Sequence, residues 1–135
     1  MAIVQTATNT FKTQLFNGGF NFTSGTFYIA LYTANANLNE NTTEYTSTGE
    51  VVAPGYSAQA LTVSTLPTSS NNISFISFNN VTWNSALTAR GALIYKLGAN
   101  GAVCVLDFGS DKTSTATFQV QFPAASSNSA IIRIN

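Results

Sequence analysis

The sequence predicts a mainly β protein, an antiparallel β-sandwich or barrel of about seven strands with a short N-terminal helix. Two observations support this fold class: apolar residues after Gly25 recur with a period of two, and turn-forming residues separate the alternating stretches. Short alternating strands divided by turn signals are typical of antiparallel sandwiches and barrels. A chain of 135 residues is long enough to bury one core without a disulfide or a metal.

Residues 1–25 are predicted to form an N-terminal arm that carries one helix, Thr8–Phe16. Asn9 or Thr10 can cap this helix, because short polar side chains accept hydrogen bonds from the free N–H groups of the first turn. The stretch Asn17–Gly19 ends the helix, since Asn and Gly favour the backbone conformation that follows a last turn.

Residues 26–135 are predicted to form a single β-sandwich domain. Thr26–Tyr32 alternates between two faces and is its first strand, and Gln59–Ser64 is a weaker one. Ile73–Trp83 is predicted to be one strand that is interrupted by a bulge or bend at Asn79-Asn80. These segments supply the first part of the sandwich.

The second half of this domain contains a strong hairpin signal. Gly91–Leu97 and Ala102–Phe108 flank an Asn-Gly pair, which favours the tight turns that join antiparallel strands. Thr117–Phe122 alternates strictly, and Ala130–Ile134 closes the chain as a final strand. The alternation predicts a common core face for the apolar residues of these strands: Phe118, Val120 and Phe122 inward with Leu93, Tyr95, Val103 and Val105.

Two segments of the domain lack strand patterns. Leu66–Asn72 is predicted to be a turn-rich loop, and Thr33–Ser57 is a long polar loop of a kind that is uncommon unless it is functional or ordered by a partner. Because this loop and the arm show little apolar periodicity, we expect neighbouring subunits to supply most of the contacts that order them. The candidate partner-contact residues are charged or aromatic: Glu40, Glu44, Tyr45, Glu50, Tyr56 and Arg90.

The composition excludes several classes of function. The chain has five Lys plus Arg, five Asp plus Glu, no His and one Cys, and its formal charge is zero. Without His there is no imidazole base and no Ser-His-Asp triad, and the lone Cys104 excludes an intrachain disulfide. Five scattered cations cannot form a stripe that binds nucleic acid. No signal peptide is readable and no apolar run has the length of a membrane span, so we expect no membrane contact. Because the chain has no His and a single Cys, we also expect no metal, and we expect no cofactor.

The surface is expected to be polar and nearly uncharged. Ser, Thr and Asn make up 48 of the 135 residues, whereas charged residues make up 7%. Such a surface suits side-by-side packing of subunits, because few charges have to be desolvated when two copies meet. Zero net charge lowers the solubility of a free monomer and matters less for a subunit held in an assembly.

Three other kinds of site are weighed against this interpretation. Paired carboxylates would suit a small hydrolase, but their spacing places no two of them across a cleft. Asp107 and Asp111 could hold a calcium ion, although the EF-hand spacing is absent. Trp83, Tyr45 and Tyr56 could form an exposed aromatic platform that binds a carbohydrate. The hydrolase and the carbohydrate-binding module remain the alternatives from other functional classes.

The most specific stretches of sequence lie in the second half of the chain. They are VTWN at Val81–Asn84, TARGALIY at Thr88–Tyr95, VLDFGSDK at Val105–Lys112, FQVQFP at Phe118–Pro123 and IIRI at Ile131–Ile134. Together with FYIALY at Phe27–Tyr32 and the segment Gly49–Tyr56, they resemble a family of small virion structural proteins of tailed bacteriophages, cyanophages included. The resemblance covers nearly the whole chain, and TARGALIY and VLDFGSDK are its most specific parts.

The resemblance implies a non-enzymatic virion protein that is made in the host cytoplasm. The implied role is a capsid decoration (cement) protein that binds the lattice of the major capsid protein, with a tail or head-fibre module that binds host carbohydrate as the alternative. A homo-oligomer is expected, with a trimer favoured. In this family context Arg90 either bonds a loop carbonyl or a carboxylate such as Asp107 within the domain, or reaches a neighbouring subunit.

Overall fold

A computed structural model describes residues 2–134 of the chain. The elements are, in chain order, β1 (Thr6–Ala7), α1 (Asn9–Phe16), β2 (Phe27–Tyr32), β3 (Gln59–Leu61), β4 (Val63–Ser70), β5 (Ile73–Phe78), β6 (Val81–Trp83), β7 (Thr88–Tyr95), β8 (Ala102–Thr113), β9 (Phe118–Val120) and β10 (Ile132–Ile134). The strands form antiparallel sheets of order β1-β8-β7-β2-β3, β10-β5-β4 and β6-β9. The predicted fold class, mainly β with a short N-terminal helix, is confirmed.

Helix α1 begins after Thr8, whose side chain caps it. The Thr8 hydroxyl accepts the Phe11 N–H at 3.1 Å and donates to the Ala102 carbonyl at 2.9 Å. Because Thr8 is fully buried against β8, one hydroxyl both caps the helix and joins it to the five-stranded sheet. The predicted caps, Asn9 and Thr10, are wrong by one and two positions. Thr8 is the cap because its hydroxyl is held against β8, where it also bonds the first turn of the helix.

Strands β7 and β8 form the hairpin that the Asn-Gly pair predicts. Its turn uses the left-handed backbone at Gly98 and Asn100, where φ is 100° and 59°. Near the turn the pairing shifts in register, which makes Val103 an extra residue on β8. This bulge lets Val103 and the adjacent Cys104 face the same core.

The segment Ile73–Trp83 is two strands in different sheets, and the prediction of one bent strand is wrong. β5 pairs with β4 and β10, whereas β6 pairs with β9. Between them the Asn79 N–H donates to the Thr62 carbonyl at 2.8 Å, and the Asn80 side-chain oxygen accepts the Phe122 N–H at 2.8 Å. These bonds hold the chain as it passes from one sheet to the other.

Strand β4 occupies most of the segment that was predicted to be the loop Leu66–Asn72. The strand continues to Ser70 and forms a hairpin with β5. The turn is Asn71-Asn72, both with left-handed φ angles (53° and 66°), which Asn tolerates better than most residues. Pro67 lies on this edge strand where the pairing with β5 shifts in register, so no sheet bond is lost to its missing N–H.

Side chains from the two faces of the five-stranded sheet fill two separate cores. The larger core cluster lies between this sheet and the two smaller ones, and it includes Phe27, Ile29 and Leu31 of β2. The smaller core cluster lies on the opposite face and includes Ala30 and Tyr32 of the same strand. The predicted alternation of β2 is therefore present, with both of its faces buried.

The common core face predicted for the later strands is correct only in part. Phe118, Val120 and Val103 belong to the larger core cluster, and Phe122 packs partly buried against it. The bulge at Val103 places Val105 on the opposite face, although two residues apart on a regular strand share a face. The residues wrongly placed with Phe118 lie in the smaller core cluster: Leu93, Tyr95 and Val105.

The long loop 33–57 and the N-terminal arm pack against their own sheet. Leu38, only 1% exposed, forms a parallel bridge with the buried Ile3, and both belong to the smaller core cluster. The Ala102 N–H of β8 donates to the Thr43 carbonyl of the loop at 3.1 Å. The expectation that neighbouring subunits order these segments is therefore wrong, because apolar contacts and backbone bonds within the chain order them.

Candidate functional site

Three of the six candidate residues meet in one hydrogen-bonded group. Tyr45 and Tyr56 donate their hydroxyl protons to the two carboxylate oxygens of Glu50, and the bond from Tyr56 is 2.5 Å long. The Tyr56 hydroxyl also accepts the Leu31 N–H at 2.9 Å. An antiparallel bridge to Tyr32 positions Glu50 beside β2. This phenol–carboxylate group, Glu50 with Tyr45 and Tyr56, joins the long loop to the five-stranded sheet.

Aromatic rings surround the phenol–carboxylate group. Tyr45 stacks on Tyr95 with 4.9 Å between ring centroids, and Tyr95 stacks on Tyr28 at 5.8 Å. Tyr56 stacks on Trp83 at 6.2 Å. The stacked rings restrict the two phenols to the orientation in which their hydroxyls reach the carboxylate.

The tyrosines around Glu50 have raised pKa values. The pKa of Tyr45 rises from 10.0 to about 12, chiefly because its hydroxyl donates to Glu50. The pKa of Tyr95 also rises to about 12, first through burial and then through the Glu50 charge. Burial is the main cause that raises the pKa of Tyr32 and Tyr56 as well. All four phenols therefore stay protonated at neutral pH.

These pKa values determine how stability depends on pH. The folded chain holds the phenol protons of Tyr45 and Tyr95 more tightly than the unfolded chain, whose ordinary value is 10.0. The stability that the phenols contribute is fully present below pH 10.0 and is lost as the pH rises through about 12. Alkaline unfolding should therefore begin where the phenols of the unfolded chain start to ionise.

Replacing Glu50 with Gln should make Tyr45 ionise at lower pH than in the unchanged chain. The substitution removes the charge and keeps one acceptor oxygen, so the pKa of Tyr45 moves toward 10.0. The near-ultraviolet absorbance of phenolate, followed as pH is raised, measures this change. Glu44→Gln is the matched control, because Glu44 is an exposed carboxylate of the same loop. Identical titrations of the two variants would contradict the assigned role of Glu50.

Arg90 lies apart from this group and forms an ion pair within the domain. Its Nε contacts Oδ1 of Asp107 at 2.9 Å, and the same oxygen accepts the Gly109 N–H at 2.9 Å. The bond from Arg90, followed by that from Gly109, lowers the pKa of Asp107, and the ion pair raises the pKa of Arg90. Arg90 therefore bonds a carboxylate within the domain, the first of the two roles considered for it.

Glu40 and Glu44 are not part of either group. Both are exposed on the long loop, and Glu40 contributes its backbone carbonyl, which accepts the Asn9 N–H at 2.8 Å. Their carboxylates lie at the surface, where basic groups of another molecule can reach them. They are the candidate contact residues that the fold itself uses least.

The aromatic platform considered for carbohydrate binding is not assembled as expected. Trp83 is 1% exposed, and its indole N–H donates to the Ser57 carbonyl at 2.7 Å. Tyr45 and Tyr56 direct their hydroxyls to Glu50. Within residues 2–134, no group of three acidic, Cys or His side chains is arranged to hold a metal ion.

An apolar groove is the surface feature that the sequence analysis missed. It lies between α1 and the β10-β5-β4 sheet, and its volume is about 380 Å³. Beside it, Phe16 at the end of α1 is 93% exposed. Phe11 and Leu15, four positions apart, share one face of the helix, and this spacing was a usable sequence signal for the groove.

A second apolar side chain is exposed on the long loop. Val52 is 97% exposed, although its neighbour Val51 belongs to the larger core cluster. No helix in the described part of the chain has the length and hydropathy needed to cross a membrane. Compared with family models, curated proteins and solved structures, the chain matches none of them, so the resemblance to phage virion proteins stays a prediction.

Proposed function

We propose that this chain is a non-enzymatic virion structural protein of a tailed bacteriophage, a capsid decoration protein that binds the major capsid protein lattice and stabilises the head. One observation carries the proposal beyond the resemblance. Two of the five carboxylates, Glu50 and Asp107, are bonded by side chains of the fold, whereas two large apolar side chains are presented to solvent. Glu50 is bonded by two phenols and Asp107 by Arg90, while Phe16 and Val52 are almost fully exposed.

The surface chemistry supports a subunit of an assembly. Charged residues make up 7% of the chain and the net charge is zero, so contact between copies or with a shell requires little desolvation of charge. Contact with a partner would remove the exposed side chains of Phe16 and Val52 from water, which is favourable for apolar surface. The proposed partners are the major capsid protein or another virion protein and further copies of the chain, with no nucleic acid and no membrane.

The exposed acidic residues of the long loop fit the capsid-facing side of this proposal. Glu40 and Glu44 are exposed and belong to neither hydrogen-bonded group described above. Basic groups on a shell would meet them at the rim of a contact, where such pairs set orientation and salt dependence. The expected location of the protein is the virion, after synthesis in the host cytoplasm.

A tail or head-fibre module that binds host carbohydrate is the second candidate, and one surface favours it. On the β6-β9 sheet, the Gln119 amide donates to the Thr82 hydroxyl at 3.1 Å, and the Gln121 amide donates to Gln119 at 2.7 Å. Neutral amides and hydroxyls of this kind match the hydroxyl groups of an uncharged sugar. A glycan array with the recombinant chain separates this candidate from capsid binding.

The test of the proposed function uses phage particles from which the gene has been deleted. Added recombinant chain should sediment with these heads in many copies and raise the temperature at which they release DNA. Glu40→Gln with Glu44→Gln should weaken binding at low salt, whereas Asp111→Asn, an exposed acid on β8, is the matched control. Absence of the protein from purified wild-type particles by mass spectrometry would reject the proposal.

A further inference from the structure

We propose that the phenol–carboxylate group binds a primary ammonium group, supplied by a lysine side chain of a partner protein. Glu50, Tyr45 and Tyr56 all line one surface cavity of about 320 Å³ on the long loop, here called the loop cavity. The inference names the ligand of one site and goes beyond the proposed function, because it does not depend on which protein supplies the lysine.

The carboxylate of Glu50 has hydrogen-bonding capacity that the fold does not use. An ionised carboxylate offers about four acceptor positions on its two oxygens. Within residues 2–134, Tyr45 donates to one oxygen and Tyr56 to the other, and no further group donates to this carboxylate. About two acceptor positions therefore remain for a ligand, and an ammonium group carries three N–H donors that can use them.

The charge of Glu50 is not balanced by a cation of the fold. In the described part of the chain the one ion pair joins Arg90 to Asp107, so no Lys or Arg lies within ion-pair distance of Glu50. The two phenols bond the carboxylate without neutralising it. The long loop 33–57 also carries Glu40 and Glu44 and contains no Lys or Arg, so its charges are all negative. The loop cavity is therefore complementary to a positively charged ligand.

The rest of the lining is apolar and matches the stem of a lysine side chain. Val51, Val52, Ala53 and Ala58 line the same cavity as the carboxylate. A lysine packs its four-carbon stem on apolar surface while its ammonium group keeps polar partners. Val52 is 97% exposed, so contact with the stem would remove apolar surface from water. An inorganic cation would leave this part of the lining unused, which favours an alkylammonium ligand.

The size of the loop cavity and the ring of Tyr45 also suit this ligand. A cavity of about 150 Å³ already binds benzene, so one of about 320 Å³ has room for the end of a lysine side chain. Tyr45 stacks on Tyr95 and still remains 37% exposed, so a cation in the cavity can reach its ring. Electrostatic attraction between a cation and an aromatic ring adds to the attraction of the carboxylate.

Nuclear magnetic resonance titration of the recombinant chain tests the ligand. N-acetyl-lysine methylamide should shift the backbone amide signals around Glu50 in a saturable way, with a Kd on the order of millimolar because a single side chain binds weakly. The norleucine analogue lacks the ammonium group and should not bind at the same concentrations. The trimethyl-lysine analogue keeps the charge but has no N–H donors, so it should bind about tenfold more weakly. Equal binding of either analogue would overturn the proposed recognition of a primary ammonium group.

Substitution of Glu50 tests whether its carboxylate holds the ammonium group. Glu50→Gln should weaken binding of the lysine probe by about tenfold or more, because the charge and one acceptor oxygen are lost. Glu44→Gln is the matched control, since it changes the net charge equally on the same loop and does not line the cavity. Binding to this control should equal binding to the wild-type chain.

A second variant leaves the phenol–carboxylate group unchanged. Val52→Lys places a cation at the cavity from an exposed position and should weaken binding of the probe about fivefold by charge repulsion. Leu97→Lys adds the same charge at an exposed apolar residue outside the cavity and should have no effect. Wild-type affinity in folded Glu50→Gln or in Val52→Lys, or no saturable shift in the wild-type chain, would overturn the site. Absence of the protein from phage particles would reject the virion role alone.

Discussion

Deletion of Asn35–Thr46 should abolish cooperative folding of the chain. The segment buries Leu38 against Ile3 in the smaller core cluster and receives the backbone bond from Ala102 of β8. Its removal uncovers one face of the five-stranded sheet and frees the N-terminal arm from its bridge. Urea unfolding followed by circular dichroism should show no sigmoidal transition, whereas a transition like that of the full chain would contradict the packing described for this segment.

A single substitution in this segment should lower the stability of the fold without abolishing it. Leu38→Ala should lower the free energy of unfolding by about 3–5 kcal/mol, because a fully buried side chain is removed and its site cannot collapse between sheet and arm. That loss is a large part of the about 5–15 kcal/mol that holds a domain of this size together. Val52→Ala is the matched control in the same loop, and its 97% exposed side chain should change stability by less than about 0.5 kcal/mol.

The packing of the long loop could not be predicted from the sequence, because its buried residues follow no regular spacing. Its buried residues, among them Ala36 and Leu38, are separated by Asn and other polar residues that remain at the surface. No helical or strand periodicity results, because an irregular segment follows the contour of the sheet beneath it. Burial there depends on β2 and β8, which lie far away in sequence, and only the folded sheet provides that surface.

Strand identity was predictable where the signal is local. The alternation of Phe27–Tyr32 and the Asn-Gly turn before β8 are contained within a few neighbouring residues, and both predictions are confirmed. Strand β4 carries Ser and Thr on an exposed edge and becomes a strand through its pairing with β5. Likewise, nothing near Asn79-Asn80 indicates which sheet the following residues join, since that depends on β9.

The sequence predicted which residues belong to the candidate site but not how they bond to one another. Because they lie in a polar loop, the sequence predicts that Tyr45, Tyr56 and Glu50 contact a partner. The folded chain instead brings the carboxylate between the two phenols, where each hydroxyl has an acceptor. Five residues separate Glu50 from Tyr56, and two contacts with β2, the bridge from Glu50 to Tyr32 and the bond from the Leu31 N–H to the Tyr56 hydroxyl, place them together.

Truncation of Trp83 should be the most damaging single substitution in the larger core cluster. Its ring is 1% exposed and lies between Tyr56, with centroids 6.2 Å apart, and Phe118, at 6.3 Å. Trp83→Ala should lower the free energy of unfolding by about 3–5 kcal/mol through lost apolar contact and the cavity left behind. Phe16→Ala is the aromatic control, whose exposed ring should leave the stability of the dilute chain within about 0.5 kcal/mol of wild type.

A second substitution separates the packing of Trp83 from its hydrogen bond. Trp83→Phe keeps most of the apolar contact but removes the indole N–H that donates to the Ser57 carbonyl at 2.7 Å. It should cost about 1–3 kcal/mol, from the lost hydrogen bond and the void that the smaller ring leaves. Because Trp83 also supports the ring of Tyr56, Trp83→Ala should let Tyr56 ionise at lower pH, whereas Trp83→Phe should not. Equal midpoints of urea unfolding for Trp83→Ala and wild type would show that the larger core cluster does not depend on this ring.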